Sequence, residues 1–227
     1  MTEPRTLADV LAALEPSIVD DESAAAWRSE VAASERDIAQ AQRLSALHRA
    51  GVPVTGAIEA LLADGGEDLR PTKPLRSMRR WLARGDVPPI LVLSGGMGSG
   101  KSVAAAFAVA HQRGGLWRSA SQIARIFAAN FGEQYADQQS ICNAALLVVD
   151  DLGSESQGSK MSGVLLELLE QRKRSARIMR TIISTNLGRA EFEKRYPDPR
   201  IASRMDAHAG AVAWIDCPGA DLRRATQ

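Results

Sequence analysis

The sequence has few residues of the kinds that build metal sites or disulfide frameworks. Its 227 residues include 2 cysteines, Cys142 and Cys217, and 3 histidines, and none of them lies at a metal-ligand spacing from another. Without a CxxC pair or a histidine group beside either cysteine, the pattern excludes the common zinc signatures and a disulfide-rich fold. We expect two buried free thiols, because unpaired cysteine is among the most buried residue types.

The sequence also lacks an excess of charge and a long apolar run. Lys and Arg number 28 against 27 Asp and Glu, a formal net charge of +1, so the field of the whole molecule is too weak to attract nucleic acid. No apolar run approaches the ~20 residues of a membrane-spanning helix, and Met1–Leu14 does not resemble a secretory signal. The sequence therefore predicts a cytoplasmic protein with no membrane partner.

Any contact with DNA would depend on local clusters of basic residues. The simplest interpretation of such a cluster is a solvated helix face, and the alternative is a surface that neutralises DNA phosphates. Two clusters are present, namely Arg76, Arg79, Arg80 and Arg84, and Arg172, Lys173, Arg174, Arg177 and Arg180.

The first part of the chain favours helices, because it is rich in Ala, Glu, Arg and Leu. Apolar spacing predicts a short helix over Leu7–Leu14 and a longer one from an N-cap at Ser23 to Ala50, ended by Gly51. The apolar stripe of the longer helix is sparse, so we expect it to be incompletely buried; its members are Trp27, Val31, Ile38, Leu44 and Leu47. A polar stretch rich in Gly and Pro predicts a linker over 64–74, between a helical region 1–63 and a domain 75–227.

Beyond the linker, candidate strands alternate with helical segments. Continuous apolar runs are typical of strands covered on both faces, and the alternation indicates right-handed crossovers within a parallel sheet. We therefore expect an α/β fold with a five-stranded parallel sheet flanked by helices. The candidate strands are Ile90–Ser94, Leu116–Ser119, Ala145–Val149, Thr181–Ser184 and Val212–Ile215.

A glycine-rich loop between the first strand and the next helix matches G-x-x-x-x-G-K-[ST] at every defined position. Its backbone N–H groups and the following helix N-terminus are suited to holding the phosphates of ATP. Lys101 would reach the β- and γ-phosphates, and the Ser102 hydroxyl would ligate Mg²⁺. The predicted binding residues are Gly95, Gly96, Met97, Gly98, Ser99, Gly100, Lys101, Ser102 and Val103.

Two carboxylates, Asp150 and Asp151, follow an apolar strand. Strand ends are where an open α/β sheet places its ligands. Asp150 is predicted to hold Mg²⁺ through its water shell, since that ion keeps several waters and takes few carboxylates. Asp151 would orient or deprotonate the attacking water.

These motifs resemble those of AAA+ ATPases over Leu75–Arg223, and the segment 147–153, with its Asp–Asp–Leu–Gly, is similar to that of the DnaC/IstB group. Most AAA+ enzymes have Glu where this chain has Asp151, and the shorter side chain predicts slow intrinsic hydrolysis. The resemblance implies that Asn186, in the sensor 1 segment Thr181–Leu187, contacts the lytic water or the γ-phosphate.

The resemblance also extends to an arginine box at Pro199–Met205. It implies that Arg204 is an arginine finger acting on the nucleotide of a neighbouring subunit, in a homo-oligomer, with Arg200 on the same helical face. The short segment after Ile215 predicts that the C-terminal helical lid of many AAA+ proteins is lacking. Asp221 stands where the group has Ser, which leaves a nucleotide-sensing role for Arg223 open.

The resemblance implies an ATP-dependent helicase loader that binds a replicative DNA helicase through its helical N-terminal region and helps to place it on single-stranded DNA. An IstB-like transposase helper that assembles on duplex DNA is the alternative. A P-loop kinase of small molecules is disfavoured, because the ordered set of Asp150–Asp151, Asn186 and Arg204 has no place in it.

Overall fold

The computed structural model describes residues 21–63, 72–128, 134–156, 160–174, 179–206 and 210–218. The predicted helix Leu7–Leu14, most of the predicted linker and Arg223 lie outside these residues. Contacts divide the chain into two compact units, Met1–Ala41 and Gln42–Gln227. This division falls earlier in the chain than the domain boundary predicted at 64–74, which stays a prediction.

Five parallel strands form one sheet in the order β2-β3-β4-β1-β5. This confirms the predicted α/β fold and all five candidate strands, with shifts of up to three residues at their ends. β3 differs most, because it continues past the predicted end at Val149, through both aspartates, to Leu152. The strands are β1 (Ile90–Ser94), β2 (Gly115–Ser119), β3 (Leu146–Leu152), β4 (Arg180–Thr185) and β5 (Val212–Asp216).

The described residues contain nine helices. They are α1 (Asp21–Ala50), α2 (Gly56–Ala63), α3 (Lys73–Ala83), α4 (Lys101–His111), α5 (Ala120–Ala128), α6 (Tyr135–Asn143), α7 (Met161–Arg174), α8 (Arg189–Arg195) and α9 (Pro199–Arg204). None of those in the described ranges is both long and apolar enough to cross a membrane.

The ends of α1 test two sequence predictions. An N-cap at Ser23 is wrong, because the helix already includes Asp21 and Ser23 lies inside it. The stop after Ala50 is confirmed: Gly51 has φ 80°, its N–H donates to His48 O, and the N–H of Val52 donates to Leu47 O. This is the Schellman arrangement, in which glycine takes the left-handed position.

Alternate strand residues enter two separate cores, one on each face of the sheet. Leu91 and Leu93 of β1 pack with α2, α3, α4 and the end of α1, whereas Val92 packs with the helices from α5 onward. Burial on both faces explains why the strands are continuously apolar. Trp81 and Trp117 are buried in the core, and the prediction of buried free thiols for Cys142 and Cys217 is confirmed.

Candidate functional site

The glycine-rich loop connects the carboxyl end of β1 to α4 and passes close to the end of β5. Gly95 has φ 149°, and a Cβ atom built there would lie 2.3 Å from the carbonyl oxygen of Cys217, so no larger residue fits. Gly100 has φ 88° and precedes the first residue of α4. Gly95 and Gly100 therefore have backbone conformations that favour glycine, and the loop leads directly into the N-terminus of α4, a position suited to phosphate binding.

Lys101 lies in this loop with its side chain turned back over the glycines. It is buried, and its Nζ donates to Gly95 O at 2.6 Å, to Gly96 O at 2.7 Å and to Asn186 Oδ1 at 3.0 Å. Because β1 and β4 are neighbours in the sheet, two residues that are distant in sequence meet here. The structure thus brings the predicted phosphate ligand and the predicted sensor residue into direct contact.

A β-bulge at the end of β3 places both aspartates against one serine of β4. Val149 pairs with Ile183 and Leu152 pairs with Thr185, so Asp150 and Asp151 together oppose Ser184. The Ser184 hydroxyl donates to Asp150 Oδ1, and it accepts from the N–H of Asp151 at 2.9 Å. Bulges are frequent beside active sites, where they redirect side chains, and this one leaves Asp150 buried and Asp151 exposed.

The electrostatic environment of Asp150 is suited to a divalent cation. Burial raises the pKa of its carboxyl group, and the neighbouring Asp151 charge raises this pKa further, against the lowering effect of hydrogen bonds from Ser184 and Ser102. The effect of Ser102 on this pKa places a hydroxyl oxygen near the carboxylate. Oxygen ligands of this kind are those that Mg²⁺ takes, so the residues present fit the predicted metal.

The segment after β4 is tied to both neighbouring strands, which fixes the position of Asn186. Thr185 Oγ1 donates to Leu152 O at 2.6 Å and accepts from the N–H of Leu187 at 3.1 Å. Ser94 Oγ of β1 donates to Leu187 O at 2.7 Å. The polar cluster Ser184–Thr185–Asn186 is therefore a connector between β1, β3 and β4, and its serine and threonine are completely buried.

The observed contacts of Arg204 are with residues other than the phosphate loop, the two aspartates and Asn186. Its Nη2 donates to Glu170 Oε1 of α7 at 2.9 Å, and its side chain is 30% exposed. Arg200, at the other end of α9, pairs with Asp198 at 2.8 Å and is 67% exposed. The assignment of Arg204 as a finger toward another subunit stays a prediction.

Two buried charged residues were missed by the sequence analysis. Arg172 was interpreted as part of a solvated face, and this is wrong: it is 6% exposed and donates to Thr181 Oγ1 and to the carbonyls of Ile141, Cys142, Ala144 and Arg180. Burial lowers its pKa to about 10. Glu155, four residues after Asp151, is 5% exposed in a segment that looks like a polar surface turn.

The sheet and the loop that follows β1 define an α/β fold of the P-loop AAA+ kind. Among solved structures, one described as "Crystal Structure of the DnaI" matches with a TM-score of 0.50 and 21% identity, over 66% of this chain and 83% of that one. Another, "Crystal structure of the DnaC helicase loader", matches with a TM-score of 0.50 and 18% identity, over 73% and 93%. At these identities the likeness is one of fold, and it confirms the predicted AAA+ core.

A family model described as "Nephrocystin 3, N-terminal" matches residues 75–197, more than half of the chain. The chain belongs to that family. No curated protein matches the sequence. The narrower resemblance to the DnaC/IstB group stays a prediction.

Proposed function

We propose that this protein is a Mg²⁺-dependent ATPase that acts as a loader of a replicative DNA helicase. One observation carries the ATPase part: Lys101 donates to Asn186, which follows β4, and Asp150 of β3 accepts from Ser184 of β4, so these groups lie at the carboxyl ends of β1, β3 and β4. This edge of a parallel sheet is where ligands bind.

ATP binding would use the loop 95–100, the N-terminus of α4 and Lys101. The phosphates would accept from backbone N–H groups, and the Lys101 ammonium would exchange its carbonyl acceptors for phosphate oxygens. Ser102 and Asp150 would hold Mg²⁺, whose charge neutralises part of the phosphate charge.

Hydrolysis would use Asp151 and Asn186. Asp151 is exposed beside buried Asp150, so its carboxylate can accept a proton from water as the water oxygen bonds to the γ-phosphorus and the bond to the ADP oxygen breaks. The Asn186 amide would align that water or the γ-phosphate. Because Asp is one methylene shorter than Glu, we expect turnover well below ~10 s⁻¹, the median for enzymes, unless a partner stimulates it.

Assembly would complete the site. Arg204 would leave Glu170 and reach the γ-phosphate bound by a neighbouring subunit, where it would stabilise the charge of the transition state. The active form would then be a homo-oligomer.

The helicase partner is proposed from the loader group that the sequence resembles, and α1 offers a surface for it. Trp27 is 38% exposed and Ile38 is 51% exposed. Their spacing is about three helical turns, which puts them on one face of α1. Exposed apolar anchors on one face are suited to docking in a groove of another protein.

The test uses the full chain. ATP binding and hydrolysis are measured for the wild type and for Lys101→Ala, and we expect binding to be lost in the variant. Capture of a purified replicative helicase is then measured for the wild type, for Trp27→Ala/Ile38→Ala and for the exposed polar control Glu35→Ala. Capture that only the apolar double variant loses supports the loader role. Absence of capture, together with ATP-dependent filaments on duplex DNA, would favour the transposase-helper alternative.

A further inference from the structure

The turn that follows β3 holds Asp151 in an unusual backbone conformation. Asp151 has φ 54° and is the one non-glycine residue of the described chain with a positive φ. Its carbonyl accepts from Ser154 N at 3.0 Å and from Ser154 Oγ at 2.7 Å. Gly153 has φ 101°, and a Cβ atom there would lie 2.6 Å from Leu187 Cδ1. The turn is therefore closed by its own hydrogen bonds, and it packs closely against Leu187 of the sensor 1 segment.

The carboxylate of Glu155 connects this turn to α8. Its side chain is 3% exposed. Oε2 accepts from the N–H of Gly153 at 2.8 Å, and Oε1 accepts from the Tyr196 hydroxyl. Arg195 Nη2 donates to Glu155 O at 2.5 Å and lies 3.4 Å from Oε1. A buried carboxylate is stable only when it is paired and hydrogen-bonded, and here its partners come from two different elements.

We propose that Glu155 is a positioning residue for Asp151: by fixing Gly153 and anchoring the turn to the end of α8, it sets where the Asp151 carboxylate points. This inference rests on the proposed ATPase function. Glu155 acts through the backbone between Asp151 and Gly153, and it contacts neither the water nor the nucleotide.

The contacts of Glu155 predict which steps it affects. Its observed partners belong to the turn and to α8, whereas nucleotide binding is assigned to the loop 95–100 and Lys101. A displaced Asp151 would therefore slow hydrolysis and leave ATP affinity intact. Displacing a catalytic group by about 1 Å can reduce a rate about a hundredfold, so a loss of about tenfold to a hundredfold in kcat is expected.

The experiment compares Glu155→Gln with Glu193→Gln in the full chain. The control makes the same chemical change on α8, at a side chain that is 56% exposed and pairs with Arg189 at 3.3 Å. We measure kcat and KM for ATP, the affinity for a non-hydrolysable ATP analogue, and amide hydrogen exchange at Gly153 and Ser154. Glu155→Gln should lower kcat, keep analogue affinity within about twofold and accelerate exchange at both amides, while β1 and β4 stay protected; Glu193→Gln should change none of these.

Two outcomes would overturn the proposal. In one, kcat and the exchange of Gly153 and Ser154 are unchanged in Glu155→Gln. In the other, analogue affinity falls together with kcat and exchange accelerates throughout the sheet, which would make Glu155 a general structural residue. If Glu155→Gln does not fold, Tyr196→Phe removes one donor to the same carboxylate. A smaller decrease in kcat, again with unchanged analogue affinity, is then expected. A wild type that does not bind the analogue refutes the ATPase proposal, and the exchange measurement still tests the turn.

Discussion

The Nζ atom of Lys101 lies 3.0 Å from Oδ1 of Asn186. Four acceptors of this ammonium, Gly95 O, Gly96 O, Ser99 Oγ and Asn186 Oδ1, are uncharged oxygens. Hydrogen bonds to neutral acceptors are weaker than those to ionised ones. Exchange of these four acceptors for phosphate oxygens would therefore give Lys101 stronger hydrogen bonds, and Asn186 fixes the position of the ammonium through an uncharged oxygen.

Replacing the neutral acceptor by a charged one should inhibit nucleotide binding. In Asn186→Asp, a carboxylate would pair with Lys101 and would repel a phosphate brought to the same place. We expect the Kd for an ATP analogue to rise about tenfold or more, which corresponds to about 1.4 kcal/mol. Asn186→Ala adds no charge, so its Kd should stay within about threefold while hydrolysis falls. Titration of a fluorescent analogue checks both, and equal affinities for the two variants would contradict the argument.

The buried, ionised carboxylate of Asp150 should lower the free energy of unfolding, although the proposed function requires it. Its pKa in the folded protein is raised, with burial as the largest cause, so the folded state binds a proton more tightly than the unfolded state does. Stability is then greatest below the unfolded pKa of about 3.9 and falls as pH rises through the folded pKa.

At neutral pH, Asp150→Asn should therefore raise the Tm, by about 2–4 °C for each kcal/mol gained, and the gain should shrink as pH falls. Thermal unfolding at several pH values measures it. Asp151→Asn, at the exposed neighbouring carboxylate, is the control and should give a smaller rise. Asp150→Asn should also abolish Mg²⁺-dependent hydrolysis. A lower Tm for Asp150→Asn at neutral pH would show that the buried charge is fully compensated.

Two substitutions of Asp151 should differ in stability but not in activity, because the residue has a positive φ. A left-handed conformation costs an ordinary L-residue about 1–2 kcal/mol, whereas Asp and Asn tolerate it better and glycine adopts it freely. Asp151→Ala should therefore lower the free energy of unfolding by about 1 kcal/mol relative to Asp151→Gly, although both variants lose the carboxylate and should lose hydrolysis. Urea unfolding of the pair measures this difference. An equally stable Ala variant would indicate that the turn relaxes to a negative φ.

Local patterns in the sequence were sufficient to predict the sheet and the phosphate loop. Runs such as Leu146–Val149 are typical of strands in a parallel sheet that is covered on both faces. The loop 95–102 is specified by its own spacing, because glycines and a lysine at fixed positions are what a phosphate cradle requires. Each of these inferences used residues that are adjacent in the chain, and each needed no knowledge of tertiary contacts.

The features that were missed depend on contacts between distant residues. Ser184 meets Asp150 and Asp151 only because β3 bulges against β4. Glu155 is buried because Tyr196 and Arg195 fold over it from α8. A charged residue within a Gly-Ser-Glu-Ser segment gives no sign of burial by itself, since polar residues in such segments are mostly exposed.

Arg172 should be important for stability although its sequence neighbours suggest a surface position. Its guanidinium donates to Thr181 Oγ1 and to four backbone carbonyls, a planar set of donors that lysine cannot reproduce. Arg172→Met leaves those acceptors unsatisfied and should lower the free energy of unfolding by about 2–4 kcal/mol, and Arg172→Lys should recover little of it. The matched control is Arg174→Met, whose side chain is 77% exposed and whose loss should cost less than about 1 kcal/mol. Chemical unfolding measures all three, and a similar effect at both positions would contradict the assigned role.

The proposed trans action of Arg204 is testable by mixing two inactive proteins. Lys101→Ala removes nucleotide binding from its own subunit and keeps Arg204, whereas Arg204→Ala keeps the phosphate loop and loses the arginine. If the arginine acts on a neighbouring subunit, mixed oligomers contain interfaces in which one variant supplies each group, and ATP hydrolysis should recover to about a quarter of the wild-type rate for random pairing at equal amounts. The intrachain pair with Glu170 at 2.9 Å gives the opposing expectation: an Arg204 that only stabilises α9 against α7 would lower the Tm of its own chain, and mixing would restore no activity.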